Sequence, residues 1–201
     1  MNLSVRHLAA ALAIACAAVA CSQPADPPPP PPPPAPAEPA PPPAPPAPPA
    51  PQVAESLSAE MAPTEGNTAT GTLTLSAVPG GVHITGSLSG VAAGGSHGFH
   101  VHETGDCSAP DAASAGGHFN PGGHPHGHPG QGEHHAGDMP NLVADDAGTL
   151  MVDVQVPGVT IGDGGGTDIL GRALVLHAGA DDYSSQPAGN SGPRIACGVI
   201  R

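Results

Sequence analysis

The chain has 201 residues, with seventeen acidic side chains against four basic ones and a formal net charge of −13. There is no lysine, and the cations are Arg6, Arg172, Arg194 and Arg201, a balance that argues against nucleic acid as a partner. One tyrosine, two phenylalanines and no tryptophan leave Val, Leu, Ile and Ala to build the core, while 29 glycines suit tight turns and long ordered loops.

Residues 1–20 read as a signal peptide. Arg6 and His7 supply a basic end, and Leu8 to Ala20 is an apolar run too short to span a bilayer comfortably. Ala18-Val19-Ala20-Cys21 follows. Small residues before a cysteine resemble a bacterial lipobox, with Cys21 as the lipidated residue, although Ala18 stands where leucine is usual. On that reading the protein is exported and tethered in the periplasm or cell envelope, and touches a membrane only through its lipid. The alternative is ordinary cleavage near Ala20 with a free Cys21.

Residues 21–51 form the tether. Asp26 to Pro51 is almost wholly Pro and Ala, which neither a helix nor a sheet interior accepts. Such a segment is expected as polyproline II at about 3.1 Å per residue, a stalk on the order of 75 Å long.

Residues 52–201 are the expected folded domain. Val53 to Met61 is a first strand. Thr70 to Val78 alternates, with Leu73 and Leu75 on one face and Thr72, Thr74 and Ser76 on the other. Pro79-Gly80-Gly81 turns the chain, and Val82 to Ser89 alternates again with Val82, Ile84 and Leu88 inward. His97 to Glu103 is the fourth strand. Asn141 to Ala144 and Thr149 to Val156 are expected as a hairpin, and Arg172 to His177 and Ile195 to Ile200 complete eight. Eight short antiparallel strands without a sustained helical period predict an all-β sandwich or barrel. Two long loops remain, Thr104 to Pro140 and Ala178 to Pro193. Each follows a histidine-bearing strand, and loops of this length in a compact domain usually carry function.

Nine of the twelve histidines fall between His97 and Asp138. His100 and His102, two apart on a strand, point both rings to one face and leave Phe99 and Val101 on the other. His118 follows in Gly117-His118-Phe119-Asn120-Pro121, then His126 and His135, and Asp138 closes the run. Imidazole suits copper and zinc, and one carboxylate among imidazoles suits zinc. A His-rich loop that binds metals loosely is the plainer reading. The strand-spaced pair and the ordered motifs argue against it.

The segments GFHVHE, GGHFNP and HAGD, followed by LVLHAGADD and GPRIACGVI, resemble copper/zinc superoxide dismutase in order and approximate spacing over residues 52–201. The resemblance implies an eight-stranded Greek-key barrel. It implies a copper site of His100, His102, His118 and His177, and a zinc site of His118, His126, His135 and Asp138, with one ion of each per subunit and His118 shared. The implied reaction is dismutation of superoxide to oxygen and hydrogen peroxide, with His118 and Arg194 as catalytic residues and protection of the cell envelope as the purpose. Asp181 is expected behind His100 and His126, because metal-bound histidines commonly donate their free N–H to a carboxylate. Cys107 and Cys197, an even pair in an exported protein, are expected as the family's disulfide. His124 and His128 flank His126 at two-residue spacing and compete with it as ligands. Family-like Pro125-His126-Gly127 favours His126, leaving His83 on the surface and His97, His124, His128 and His134 exposed and unligated. The family includes monomers and homodimers, and the sequence does not choose between them. The rival from another class is a non-enzymatic copper- or zinc-binding protein on the same fold.

Overall fold

Nine strands organise residues 56–201, the part of the chain that the computed structural model describes. The expected signal, Cys21, the Pro/Ala tether and the start of the first strand lie outside these residues. In chain order the strands are β1 (Ser56–Pro63), β2 (Thr70–Val78), β3 (Gly81–Ser89), β4 (Ser96–His97), β5 (Phe99–His102), β6 (Leu142–Val143), β7 (Thr149–Pro157), β8 (Ala173–His177) and β9 (Arg194–Val199).

Seven of them form one antiparallel sheet in the order β5-β8-β9-β1-β2-β3-β7. Strand β1 turns the sheet's corner. Ser56 to Met61 pair with β2, and the next two residues, Ala62 and Pro63, pair with Cys197 and Ala196 of β9. The remaining pair, β4 with β6, spans the gap between the two sheet edges. On one side β4 runs into β5 through Gly98, and on the other Ala144 bridges Leu150 of β7. The strands therefore curl into a closed, barrel-like β structure, as expected.

The alternation read from the sequence is the alternation of burial. Leu73 and Leu75 of β2, Val82, Ile84 and Leu88 of β3, and Leu150, Val152, Val154 and Val156 of β7 all face the core. Each such side chain contributes roughly 1.5–3 kcal/mol on burial. Phe99 and Val101 join the same cluster from β5.

Two strands differ from expectation. The fourth breaks at Gly98, whose N–H donates to Gly179 and whose carbonyl accepts from the His177 N–H. The second expected hairpin is only partly one. Leu142 and Val143 pair with β4, while β7 is reached through the Ala144–Leu150 bridge and two bonds between Asp145 and Thr149, the Asp145 N–H to the Thr149 carbonyl and the Thr149 N–H to the Asp145 carboxylate. The segment is short, and its two paired residues, Leu142 and Val143, are engaged by β4.

A disulfide joins Cys107 to Cys197, with Cα atoms 5.8 Å apart at a sequence separation of 90. It packs in a second small apolar cluster with Ala112, Ala115, Ala173 and Val175, which fixes the start of the first long loop against β8 and β9.

Candidate metal centre

Strand β5 places the first two histidines. With Phe99 and Val101 in the core, period-two geometry turns His100 and His102 to the opposite face, where both are fully buried. The backbone of Val101 then captures the first long loop at two points. Its carbonyl accepts the Phe119 N–H, its N–H donates to the Gly137 carbonyl, and the Gly137 N–H donates to Phe119. His118 and Asp138 are the neighbours of these residues, so the same three bonds carry both side chains to the strand. Gly137 tolerates no side chain, since a Cβ would stand 2.3 Å from the Val101 carbonyl. His177 arrives from the end of β8, two strand residues being paired directly with His100 and His102.

The result is two groups of four buried side chains, His100-His102-His118-His177 and His118-His126-His135-Asp138. Within each group the potential ligand atoms lie within 4.8 Å of one another. In the second, Asp138 Oδ1 is 2.8 Å from His118 Nδ1, 3.0 Å from His126 Nδ1 and 3.4 Å from His135 Nδ1. In the first, His100 Nδ1, His102 Nε2, His118 Nε2 and His177 Nε2 are buried without a hydrogen-bond partner. Four converging unpartnered nitrogens are costly in a protein interior unless a cation takes their lone pairs. All-imidazole donors suit copper, and three imidazoles with a carboxylate suit zinc, so the residues fit both ions. His118 belongs to both groups, with Nδ1 turned to one and Nε2 to the other.

The opposite ring nitrogens are held. His100 Nε2 lies 2.8 Å from Asp181 Oδ2, His102 Nδ1 donates to the Gly116 carbonyl at 2.9 Å, and His177 Nδ1 to the Gly192 carbonyl at 3.1 Å. Each bond fixes which nitrogen keeps its proton and frees the other as a donor. Burial pushes the pKa of His100 down to about 4, His102 to about 2 and His177 to about 3, with nearby rings and Arg194 adding to the effect on His102 and His177. The rings are therefore neutral, the form that binds metal.

Asp181 stands behind both groups. Its second oxygen meets His126 Nε2 at 2.9 Å, so one carboxylate holds a histidine of each group. Burial opposes its charge, but hydrogen bonds from His100, the Tyr183 N–H and His126 outweigh burial and hold its pKa below the usual range. Burial likewise opposes charge on Asp138, and bonds from His118 and the Gly127 and His135 N–H groups reverse that effect.

Arg194 opens β9 half-buried and donates to the carbonyls of Ala112 and Gly116, both at 2.6 Å. Arg172 lies elsewhere, its guanidinium 4.6 Å from the Phe119 ring centre and bonded to the Glu103 carbonyl.

Of the surplus histidines, His124 is exposed and His128 and His134 are partly so. His97 is not exposed, contrary to expectation. It is 3% accessible, and its Nδ1 donates to the His177 carbonyl. His97 shares the parity of the inward-facing Phe99 and Val101, and its ring reaches across to the His177 backbone, which buries it.

Sequence reasoning missed the residues that hold Asp181 and His126 in place. The Asn141 side chain donates to the Asp181 carbonyl and accepts its N–H. Gln186 does the same for the His126 backbone. Gly189, at φ 65°, leaves room for Asp181, since a Cβ there would fall 1.8 Å from its carboxylate. Single amides and glycines in loops carry no periodic signal.

Residues 69–200 match the family described as copper/zinc superoxide dismutase (SODC). The chain is 46% identical over 146 residues to "Superoxide dismutase [Cu-Zn] 2" of Aquifex aeolicus, covering 71% of this chain and 85% of that one. It is 42% identical over 147 residues to "Superoxide dismutase [Cu-Zn]" of Deinococcus radiodurans, covering 66% and 77%. A crystal structure of a SOD-like protein from Bacillus subtilis superposes with a TM-score of 0.64 at 36% identity, covering 73% of this chain and 98% of that one.

Proposed function

Because the chain belongs to the copper/zinc superoxide dismutase family, we propose that it removes superoxide at the cell envelope, tethered through lipid on Cys21. The net reaction turns two superoxide ions and two protons into oxygen and hydrogen peroxide. The observation that carries this reading is His118, whose two ring nitrogens face two different ligand groups.

When bound, copper supplies one-electron redox chemistry, and zinc supplies a fixed, redox-inert charge. His100, His102, His118 and His177 are the copper ligands in this reading, and His118, His126, His135 and Asp138 the zinc ligands, one ion of each per subunit. The protein's own part is orientation and proton handling. His118 takes a proton at Nε2 and returns it to the departing peroxide, while its Nδ1 stays on the zinc side. Asp181 keeps the His100 and His126 rings in register with one another. Arg194 supplies the positive charge that draws in the anionic substrate.

The test is superoxide removal by the protein loaded with copper and zinc, beside an H118A variant. We expect activity in the first and its loss in the second, together with independent rather than coupled metal binding at the two sites. The rival reading, a metal-binding protein without turnover, requires a loaded protein that does not accelerate superoxide decay.

A further inference from the structure

Asp181 reaches both buried groups from the second long loop, and it is itself held at three points. Its carboxylate meets His100 Nε2 with one oxygen and His126 Nε2 with the other. Its peptide N–H and carbonyl are both taken by the Asn141 side chain, at 2.8 and 2.9 Å. The third support is Tyr183, two residues on. The Tyr183 N–H donates to Asp181 Oδ1 at 2.7 Å, and this is the oxygen that meets His126.

Tyr183 makes that bond from a strained backbone. Its φ is 57°, in the left-handed region that bulky side chains rarely adopt and glycine adopts freely. Such strain persists where surrounding contacts over-determine it, and it clusters at functional sites. The contacts here come from the side chain. The phenol oxygen accepts the Asn141 N–H at 2.7 Å, and the ring packs on His128 with centres 4.4 Å apart. His128 and Asn141 bracket His135 and Asp138 in the chain. One side chain of the second loop therefore straps both ends of the segment that carries two members of the second group. The bonds also form a closed cycle. It runs from the Tyr183 N–H to Asp181, from the Asp181 peptide to the Asn141 side chain, and from the Asn141 N–H back to the Tyr183 oxygen.

We propose that Tyr183 is a positioning residue for both buried groups and acts through Asp181. Its hydroxyl, fixed on the Asn141 N–H, holds the turn that presents the Asp181 carboxylate to His100 and His126. The hydrogen bonds of Tyr183 go to Asp181 and Asn141, which belong to neither group, so its influence on the rings passes through the carboxylate. A shift of that one carboxylate moves a ring of each group. The inference rests on the reading that the two groups hold metal, and it adds a residue that sets their geometry from outside.

The test reads metal binding and spectra rather than turnover, on full-length wild type, Y183F, D181N and Y183F/D181N. Y183F removes the hydroxyl and keeps the ring. Zinc affinity is measured by competition with a chelator. Geometry is followed by the electron paramagnetic resonance of copper and by the d–d spectrum of cobalt(II) placed in the second group. We expect Y183F to weaken zinc binding by about tenfold, the lower end of losses for groups behind a ligating histidine, and to shift both spectra. In the D181N background the hydroxyl has no carboxylate to position, so Y183F should add no more than about a twofold loss. Unchanged affinity and spectra in Y183F would overturn the proposal. So would a full further loss in the D181N background, which would make the hydroxyl a general fastener of the two loops. Should D181N not hold both ions, the copper signal of Y183F decides alone, and an unchanged signal overturns the proposal. A wild type that binds neither ion would overturn the metal reading of the two groups, and this inference with it.

Discussion

Arg194 and His102 meet at one atom. The carbonyl oxygen of Gly116 accepts a guanidinium N–H from Arg194 and the Nδ1–H of His102. Arg194 and a histidine of the all-imidazole group are thus positioned by the same peptide. That peptide follows a short 3-10 turn, Ala113–Ala115, in the segment that begins at the disulfide.

Substrate attraction should depend heavily on Arg194. The depression beside His177, about 320 Å³, is lined by Ser185, Gln186, Pro187, Ala188, Asn190, Ser191 and Gly192, none of them charged. The remaining field of the protein is negative and repels superoxide at long range, while screening weakens interactions beyond about 10 Å at 0.1 M salt. Arg194→Ala should therefore lower the second-order rate by roughly tenfold or more. The wild-type rate should fall little, or rise, as salt is added at low ionic strength. Pulse radiolysis of both proteins across ionic strength checks both points. A steep decline of the wild-type rate with salt would place the attraction elsewhere.

Reduction of Cys107–Cys197 should destabilise the domain. Closing a 90-residue loop contributes on the order of 4 kcal/mol in the chain-entropy model. For a domain of this size that corresponds to a fall in Tm on the order of 10 °C. Calorimetry with and without reductant measures it, and reduction should also loosen Arg194, whose carbonyl partners lie just beyond Cys107. An unchanged Tm after complete reduction would deny the bridge its structural role.

The metal-free protein should lose stability as pH falls below about 6.5, the ordinary imidazole value. His100, His102 and His177 have folded pKa values near 4, 2 and 3. Between those values and 6.5 the unfolded chain binds protons that the folded chain refuses, so stability rises with pH there and drops on acidification. Each group costs about 1.4 kcal/mol per pH unit below its unfolded pKa. Asp138 and Asp181, with pKa values held below 3.8, enter only at lower pH. Thermal unfolding of the metal-free protein from pH 7 to 4.5 should show a progressive fall in Tm. A flat profile would mean that these rings protonate freely in the fold.

Cys21→Ser should move the protein from the membrane to the soluble fraction. The small residues before Cys21 motivate this expectation. Fractionation of cells expressing each form tests it, and a variant that stays with the membrane would exclude lipid on Cys21 as the anchor.

Most of the fold was legible because one face of each long strand is buried and period two is hard to mistake. Leu73, Leu75, Val82, Ile84 and Leu88 announce both the strands and their inward faces. The break at Gly98 was not legible. Nothing local distinguishes a glycine that continues a strand from one whose backbone is claimed by a distant loop, here Gly179. At the centre, the strand-spaced His100 and His102 carried the signal, and the family motifs carried His118, His126, His135 and Asp138. The supports, Asn141, Gln186 and the Gly116 carbonyl, act through backbone groups or single amides, which every residue or many residues could offer.

Strand β5 gives the chain an unusual evolutionary constraint. In most β domains, core positions can drift among apolar residues without consequence for a distant site. Here Phe99 and Val101 alternate with His100 and His102, and Val101 also binds the backbone beside His118 and Asp138. A change of volume at Val101 should therefore displace four members of the two buried groups at once. Repacking that a strand such as β2 would absorb as a loss of stability would, at β5, also disturb the two buried groups. Sequence variation tolerated in the core should accordingly concentrate on β2, β3 and β7, whose core residues do not alternate with members of the two buried groups.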